Sequence, residues 1–275
     1  MTQTTPLDLT SHYPITPDHL AFFRANGYIK LKQVLAPEVL THYGAEITRM
    51  VRELNTLHLP MEERSTYQKA FLQVMNLFEH SETVRAFVFS ARLAQIAADL
   101  LEVEGVRLYH DQALYKEAGG GITPWHADQF YWPLETDRTA TVWIPLQATP
   151  MELGPLAFAA GTQQVDLGRS LGISDESEKY IADQVASGGF TVDEAPFDLG
   201  EVSYHMGWTF HRAGANQSDR ARAVMTMIYI DADMRVMQPK NANQEADLRD
   251  WIPGILPGAI AASARNPLLY TRRVE

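Results

Sequence analysis

The chain has 275 residues, a formal net charge of −11 and no cysteine. This length suits one large domain, and the acidic balance argues against nucleic acid or an anionic membrane as the main partner. Without thiols there are no disulfides, cysteine nucleophiles or thiolate metal sites, so any metal must be held by His, Asp or Glu.

The first hundred residues are predicted to be mainly helical, after a polar N-terminal arm over residues 1–14. Thr16 and Pro17 favour the start of a helix, and Gly27 favours its end. Apolar residues then recur at helical spacing in two further segments. The predicted elements are a helix over 16–26, a strand over 28–35, a helix over 36–58 and one or two helices within 81–102.

From about residue 105 the sequence changes to short apolar segments separated by Gly and Pro, which is typical of a β-sandwich or barrel. Three glycines at 119–121 lack the Lys-Ser/Thr ending of a phosphate loop, so we interpret them as a flexible lip. Residues 174–189 predict a helical insertion. The predicted strand segments are 106–117, 139–149, 154–164, 201–214 and 221–233.

The C-terminal segment 236–275 is rich in turn residues and yet carries large apolar side chains. Trp251, Ile252, Ile255 and Leu256 would be costly to leave in water. We therefore expect an ordered flap that packs back on the domain and could cover a cavity.

The stretch ITPWHADQFYWP places His126 and Asp128 two positions apart within an aromatic segment. Burying a carboxylate among aromatic rings is costly unless a positive group meets it. On a strand, residues i and i+2 face the same side, so both side chains could bind one cation. A third ligand must come from elsewhere, and the candidates are His211 and, six residues before it, His205.

The region 105–235 resembles the phytanoyl-CoA dioxygenase family of Fe(II)- and 2-oxoglutarate-dependent oxygenases. The resemblance rests on PWHADQFYWP, TVWIPLQAT, GPLAFAAGTQQ and HRAGANQSDRAR, and DHLAFFRANGYIKLKQVL adds an opening helix and strand. In that family His-x-Asp and a distal His hold the metal, and an Arg eleven positions after the distal His binds 2-oxoglutarate. The matching residues are His126, Asp128, His211 and Arg222, which favours His211 over His205.

The resemblance implies a mainly β fold with flanking helices, in which a double-stranded β-helix (a cupin-like jelly roll) has N-terminal helices packed outside it. One domain would span residues 1–275, with residues 105–235 as its catalytic core. Fe(II) would be the metal, with 2-oxoglutarate as cosubstrate and O2 as the oxidant. Three protein ligands on one face of the metal leave three coordination positions open. Two would take the oxo-acid group of 2-oxoglutarate and one would take O2.

The resemblance further implies hydroxylation of a C–H bond in a small organic metabolite, with release of succinate and CO2. Related iron halogenases have Gly or Ala in place of the metal-binding carboxylate, and this chain keeps Asp128. We therefore predict hydroxylation and not halogenation. The alternatives are a desaturase, epimerase or oxidative cyclase on the same scaffold, and a jelly-roll protein that binds a small molecule without turnover.

Further residues are candidates for the pocket, and for each of them ordinary packing in the fold is the alternative. Arg212 and Arg220 are alternatives to Arg222, and Met225 and Met227 are expected in the core. Candidates for the cosubstrate pocket are Gln112, Thr141 and Trp143, and candidates for the substrate cavity are His110, Trp125, Phe130, Tyr131, Trp132 and Trp208.

The sequence has no run of 18 apolar residues, and its N-terminus lacks the apolar core of a secretory signal. We expect a soluble cytoplasmic protein whose main partner is a small-molecule substrate. The sequence does not indicate the substrate or the oligomeric state.

Overall fold

The computed structural model describes residues 7–272, which form seven α-helices and eleven β-strands. The helices are α1 (Pro17–Asn26), α2 (Pro37–Leu54), α3 (Thr66–Ala70), α4 (Glu82–Val88), α5 (Ala91–Leu101), α6 (Asp175–Ser187) and α7 (Ala242–Trp251). The strands are β1 (Tyr28–Leu31), β2 (Leu72–Met75), β3 (Gly105–Tyr115), β4 (Thr123–His126), β5 (Thr139–Pro145), β6 (Leu156–Ala159), β7 (Val192–Glu194), β8 (Val202–Met206), β9 (His211–Ala213), β10 (Val224–Asp231) and β11 (Leu268–Thr271).

The strands form two antiparallel sheets that face each other. The larger sheet has the order β1-β8-β5-β10-β3-β11, with β2 also paired to β3, and the smaller sheet has the order β4-β9-β6-β7. Trp143 and Val224 from the larger sheet share one apolar cluster with Leu156 and Phe158 from the smaller sheet. This arrangement confirms the prediction of a jelly roll.

Helices cover the outer face of the larger sheet. Ile47 of α2 and Ile96 of α5 belong to the same buried cluster as Val142 of β5. Met225 and Met227 of β10 lie in this cluster, as predicted for core residues. The helical N-terminal region therefore supports the sheet from outside, and the inner face is left free for a site.

Helix ends follow the capping residues of the sequence. The Thr16 hydroxyl accepts a hydrogen bond from the backbone N–H of His19 at 3.2 Å, and Gly27 ends α1 in a left-handed conformation with φ +78°. Ser90 caps α5 in the same way and separates it from α4. The segment 81–102 is therefore two helices.

The predicted strand segment 201–214 divides between the two sheets. β8 pairs with β5 in the larger sheet, whereas β9 pairs with β4 and β6 in the smaller one. The chain crosses from one sheet to the other between Met206 and His211. As a result, His205 and His211 approach the space between the sheets from opposite sides.

Several elements differ from the sequence-based predictions. The strand predicted over 28–35 ends at Leu31, because the chain turns at residues 32–33. Helix α3 and strand β2 were not predicted, since residues 59–80 show no clear periodicity. Gly120 and Gly121 pack tightly against Lys116 and Lys69, so this part of the glycine segment is a close contact and not a free lip.

The two ends of the described chain pack on the domain. Leu9 is buried, and its carbonyl accepts a hydrogen bond from the Ser90 hydroxyl at 3.0 Å. In the C-terminal segment, Ile252 is buried and Ile255 packs on the same cluster, as expected for an ordered flap. Leu256 is 75% exposed, so its predicted packing is wrong. None of the helices in residues 7–272 has the length and apolar character needed to cross a membrane.

Candidate active site

Three potential metal ligands converge between the two sheets. Oδ1 of Asp128 lies 3.6 Å from Nε2 of His126 and 3.7 Å from Nε2 of His211, and the three ligand atoms lie within 4.8 Å of one another. His126 ends β4, directly opposite His211 of β9. Asp128 was expected on the same strand as His126, but it is the first residue of the short 3₁₀ turn Asp128–Tyr131. The turn still directs its carboxylate at the two imidazoles.

Backbone carbonyls set the tautomers of both histidines. Nδ1 of His126 lies 2.7 Å from the carbonyl oxygen of Pro124, and Nδ1 of His211 lies 3.0 Å from that of Thr209. Because a carbonyl only accepts, each Nδ1 must carry the hydrogen, which leaves the Nε2 lone pairs free to bind a metal. Burial and the neighbouring imidazoles lower the pKa of His211 well below its usual range, so it is neutral at pH 7.

The second oxygen of the Asp128 carboxylate is held from β5 and β8. The Thr141 hydroxyl donates to Oδ2 at 2.9 Å, and Nε2 of His205 donates to the same oxygen at 3.2 Å. Burial opposes ionisation of Asp128, but the imidazoles of His211, His126 and His205 hold its pKa well below the usual range. Two neutral imidazoles and one ionised carboxylate on one face are the donor set of non-haem Fe(II) sites, and these residues fit that ion.

These contacts give His205 and Thr141 a role beside Asp128, and both residues line the same cavity as the three ligands. His205 was the rival metal ligand, but its Nε2 faces the carboxylate oxygen that points away from His126 and His211. Thr141 was assigned to the cosubstrate pocket; it lines the cavity, and its hydroxyl also orients Asp128. Both residues therefore support a ligand.

A cavity of about 280 Å³ opens beside the three ligands. Side chains from both sheets and from α7 line it, which suits a small-molecule site. Predicted residues in its wall are His110, Gln112, Tyr131, Trp132, Thr141, Trp143 and Arg222, together with Trp251 of the predicted flap, and residues not predicted include Tyr67, Gln73 and Asp247.

Arg222 is a buried cation at the wall of this cavity. One Nη donates to the carbonyl of Gly154, and the guanidinium carbon lies 5.3 Å from the ring centroid of Trp143. The guanidinium makes no ion pair within residues 7–272, and burial lowers its pKa to about 9. An unpaired buried charge is costly, so the site favours an anionic ligand.

The two alternative arginines lie elsewhere. Arg212 reaches Glu178 at 3.6 Å and Glu194 at 3.5 Å, and its guanidinium lies over Trp125. Arg220 is exposed. Arg222 is thus the one of the three that lines the cavity.

Three of the predicted aromatic residues do not line the cavity. Trp125 directly precedes His126 on β4, so its side chain points to the opposite face and packs in a cluster with α6. Phe130 and Trp208 line a separate surface depression. Their closeness to the ligands along the chain was therefore misleading.

A series of hydrogen-bonded side chains, which begins outside the predicted catalytic core, reaches the cavity. The Tyr67 hydroxyl donates to Oε1 of Gln73 at 2.7 Å, and Nε2 of Gln73 donates to Oε1 of Gln112 at 2.5 Å. The amide nitrogen of Gln112 is then left to donate into the cavity. Neither Tyr67 nor Gln73 belongs to a motif, so the sequence carried no signal for them.

Lys116 is a second buried cation, and it lies close to Arg222. Their backbones pair across the end of β3, and Nζ of Lys116 donates to the Gly121 carbonyl and, at 3.3 Å, to the Thr123 hydroxyl. Burial, reinforced by the charge of Arg222, lowers the pKa of Lys116 to about 6. The glycine segment 119–121 is the sequence feature that permits this close packing.

Known proteins match this chain over much of its length. The family model for phytanoyl-CoA dioxygenase (PhyH) matches residues 23–224. An ectoine dioxygenase of Streptomyces anulatus is 25% identical over 162 residues, which is 56% of this chain and 54% of that protein. The chain thus aligns with about half the length of that relative.

Solved structures also resemble the fold. The epimerase SnoN, in complex with Fe3+, alpha-ketoglutarate and nogalamycin RO, has a TM-score of 0.75 at 25% identity, covering 91% of this chain and 97% of SnoN. EctD from S. alaskensis, with 2-oxoglutarate and 5-hydroxyectoine, has a TM-score of 0.70 at 18% identity, covering 95% of this chain and 91% of EctD. The second likeness shows the fold alone. With a family match across most of both sheets, the chain belongs to the phytanoyl-CoA dioxygenase family of Fe(II)- and 2-oxoglutarate-dependent oxygenases.

Proposed function

We propose that this chain is an Fe(II)- and 2-oxoglutarate-dependent oxygenase that hydroxylates a C–H bond of a small organic molecule. The observation that carries the proposal is the presence, in one cavity, of a three-ligand metal site and an unpaired buried guanidinium. A metal with open positions and a cation beyond it are the two features that a keto acid with a distal carboxylate requires.

Each residue has a defined task in this proposal. His126, Asp128 and His211 hold Fe(II) through Nε2, Oδ1 and Nε2. Arg222 binds the distal carboxylate of 2-oxoglutarate, because its planar fork can donate two parallel hydrogen bonds. Gln112 and Trp143 complete the cosubstrate pocket from β3 and β5. Bound Fe(II) would supply the centre at which 2-oxoglutarate and O2 react to give succinate, CO2 and the oxidised substrate.

The protein also positions the substrate and keeps bulk water away. Tyr131 and Trp132 lie in the cavity wall, and Trp132 is buried. His110 lines the same wall, and burial lowers its pKa to about 4, so it is neutral at pH 7. A wall of this kind shields the reacting centre while leaving room for a small metabolite.

Asp128 supports oxygen insertion over halogenation. Its Oδ1 fills the third protein position at the metal, and Oδ2 is fixed by Thr141 and His205. A halide would need that position to be free. Hydroxylation therefore fits the ligand set of this chain.

Epimerisation is a second candidate, favoured by the similarity to SnoN at 25% identity. The two reactions differ in the product. Hydroxylation adds one oxygen atom to the substrate, whereas epimerisation leaves its mass unchanged. Mass spectrometry of products from a panel of small metabolites separates them.

The test of the proposed function is release of succinate that depends on Fe(II), 2-oxoglutarate and O2. We expect wild type to release succinate and His126→Ala to lose nearly all of this activity. His58→Ala is the matched control, because His58 is exposed and does not line the cavity. The proposal fails if wild type binds metal but releases no succinate with any substrate of a broad panel, an outcome that favours a non-catalytic binding protein.

A further inference from the structure

The cavity contains an acidic group that the metal and the cosubstrate do not use. Asp247 of α7 lines the same wall as the three ligands. Oδ2 of Asp247 accepts a hydrogen bond from the Tyr109 hydroxyl at 2.9 Å. The indole N–H of Trp251 also lies near this carboxylate and favours its charged form. Within residues 7–272 the carboxylate forms no ion pair.

Aromatic rings surround this carboxylate. Trp251 lies one helical turn after Asp247 on α7, so both side chains share one face of the helix. Tyr131 and Trp132 line the same cavity, and the ring of His110 lies 5.3 Å from that of Trp251. The faces of such rings attract cations. The wall therefore combines one negative charge with several electron-rich surfaces.

No competing cation of the protein occupies this part of the described cavity. Lys116 and Arg222 lie together at the end of β3 and bind backbone oxygens of Gly121 and Gly154. His110 is neutral at pH 7, because burial lowers its pKa to about 4. Burial raises the pKa of Asp247 to about 7, as expected for a carboxylate without a positive partner.

We infer that Asp247, with Trp251, Tyr131 and Trp132, forms a subsite for a protonated amine, so that the substrate of this enzyme carries a basic nitrogen. The inference rests on the proposed function for the role of the cavity. The carboxylate supplies a charge-assisted hydrogen bond to the ammonium group, and the rings supply cation–π contacts. Arg222 and Asp247 then bind groups of opposite charge, one on 2-oxoglutarate and one on the substrate. The anionic cosubstrate binds at one end of the cavity, and the cationic part of the substrate binds under α7.

The test compares two probes of the same shape, cyclohexylamine and cyclohexanol, by calorimetry at pH 8. The protein is loaded anaerobically with Fe(II) and 2-oxoglutarate, and formation of the visible Fe(II)–2-oxoglutarate absorption band is checked first. We expect the protonated amine to bind wild type at least about tenfold more tightly than the alcohol. In Asp247→Asn, which keeps the size of the side chain, the two dissociation constants should agree within about twofold.

Asp250→Asn is the matched control on the same helix. Asp250 already pairs with Arg249 at 2.7 Å and does not line the cavity, so this variant should keep the wild-type preference for the amine. Equal binding of the two probes to wild type, or an unchanged preference in Asp247→Asn, overturns the inference. These outcomes are distinct from failure of the proposed function, in which the absorption band itself does not form.

Discussion

Thr141 fixes the orientation of Asp128, because its hydroxyl donates to Oδ2 at 2.9 Å while Oδ1 faces His126 and His211. The two oxygens of one carboxylate thus have separate roles, one for the protein and one for the metal. Such supporting hydrogen bonds hold a ligand in place before the metal arrives. The contact comes from β5 of the larger sheet and crosses to a turn that follows β4 of the smaller sheet. Metal affinity therefore depends on how the two sheets face each other.

Replacing Thr141 by Val should weaken Fe(II) binding by about 10- to 100-fold, since Val keeps the shape of Thr but cannot hold Oδ2. Anaerobic calorimetric titration with Fe(II) measures the change. Thr139→Val is the control two residues earlier on β5, because the Thr139 hydroxyl donates to Gln129 and not to a ligand. An unchanged Fe(II) affinity in Thr141→Val would show that the hydrogen bond does not support the metal.

His211 and His205 should respond differently to substitution. His211→Ala removes a ligand, and we expect stoichiometric Fe(II) binding to disappear. His205→Gln keeps an N–H donor near Oδ2 of Asp128, so we expect binding to persist with an affinity within about tenfold of wild type. The same titration tests both variants. If His205→Gln abolished binding while His211→Ala retained it, the ligand assignment would be reversed.

The metal ligands could be predicted because their signal is local. His126 and Asp128 are two positions apart in the chain, and the spacing from His211 to Arg222 matches a known family pattern. The crossing of the chain between β8 and β9 was not visible in the sequence. For this reason His205 appeared as a rival on one continuous strand, although it approaches from the opposite sheet.

Other parts of the site depend on contacts between distant segments. Asp247 lies on α7, in a stretch whose Gly, Pro and Asn residues favoured a turn-rich interpretation. Tyr67 and Gln73 reach the cavity only because β2 pairs with β3. Trp125 shows the converse, since it is next to a ligand in sequence and yet faces away on the strand. Closeness along the chain is therefore a weak guide to which side chains share a site.

Arg222→Lys should raise the KM for 2-oxoglutarate by about 100-fold, because Lys keeps the charge but cannot make two parallel hydrogen bonds to a carboxylate. Succinate release at varied 2-oxoglutarate concentration measures the effect. Arg212→Lys is the control, since Arg212 pairs with Glu178 and Glu194 away from the cavity. A KM close to that of wild type in Arg222→Lys would argue that 2-oxoglutarate binds elsewhere.

Lys116 should lower the stability of the ligand-free protein near neutral pH. Its pKa is about 6 in the folded protein, well below the usual value of about 10.4 that applies to the unfolded chain. Between these two values the unfolded state binds one more proton, so this group makes stability rise with pH across that window. The destabilisation is fully present below about pH 6 and has largely gone near pH 10.

Lys116→Met should therefore raise the Tm of the apoprotein by about 3 °C or more at pH 7, and by clearly less at pH 10. Loss of the contacts to Gly121 and Thr123 should change Tm equally at both pH values. The difference between the two Tm gains therefore reports the titration of Lys116 alone. Lys32→Met is the control, because Lys32 is exposed and pairs with Asp198 at 2.7 Å, so its substitution should change Tm little at either pH. Equal gains for Lys116→Met at pH 7 and pH 10 would mean that Lys116 stays protonated in the folded protein across this range, and that its burial does not lower its pKa.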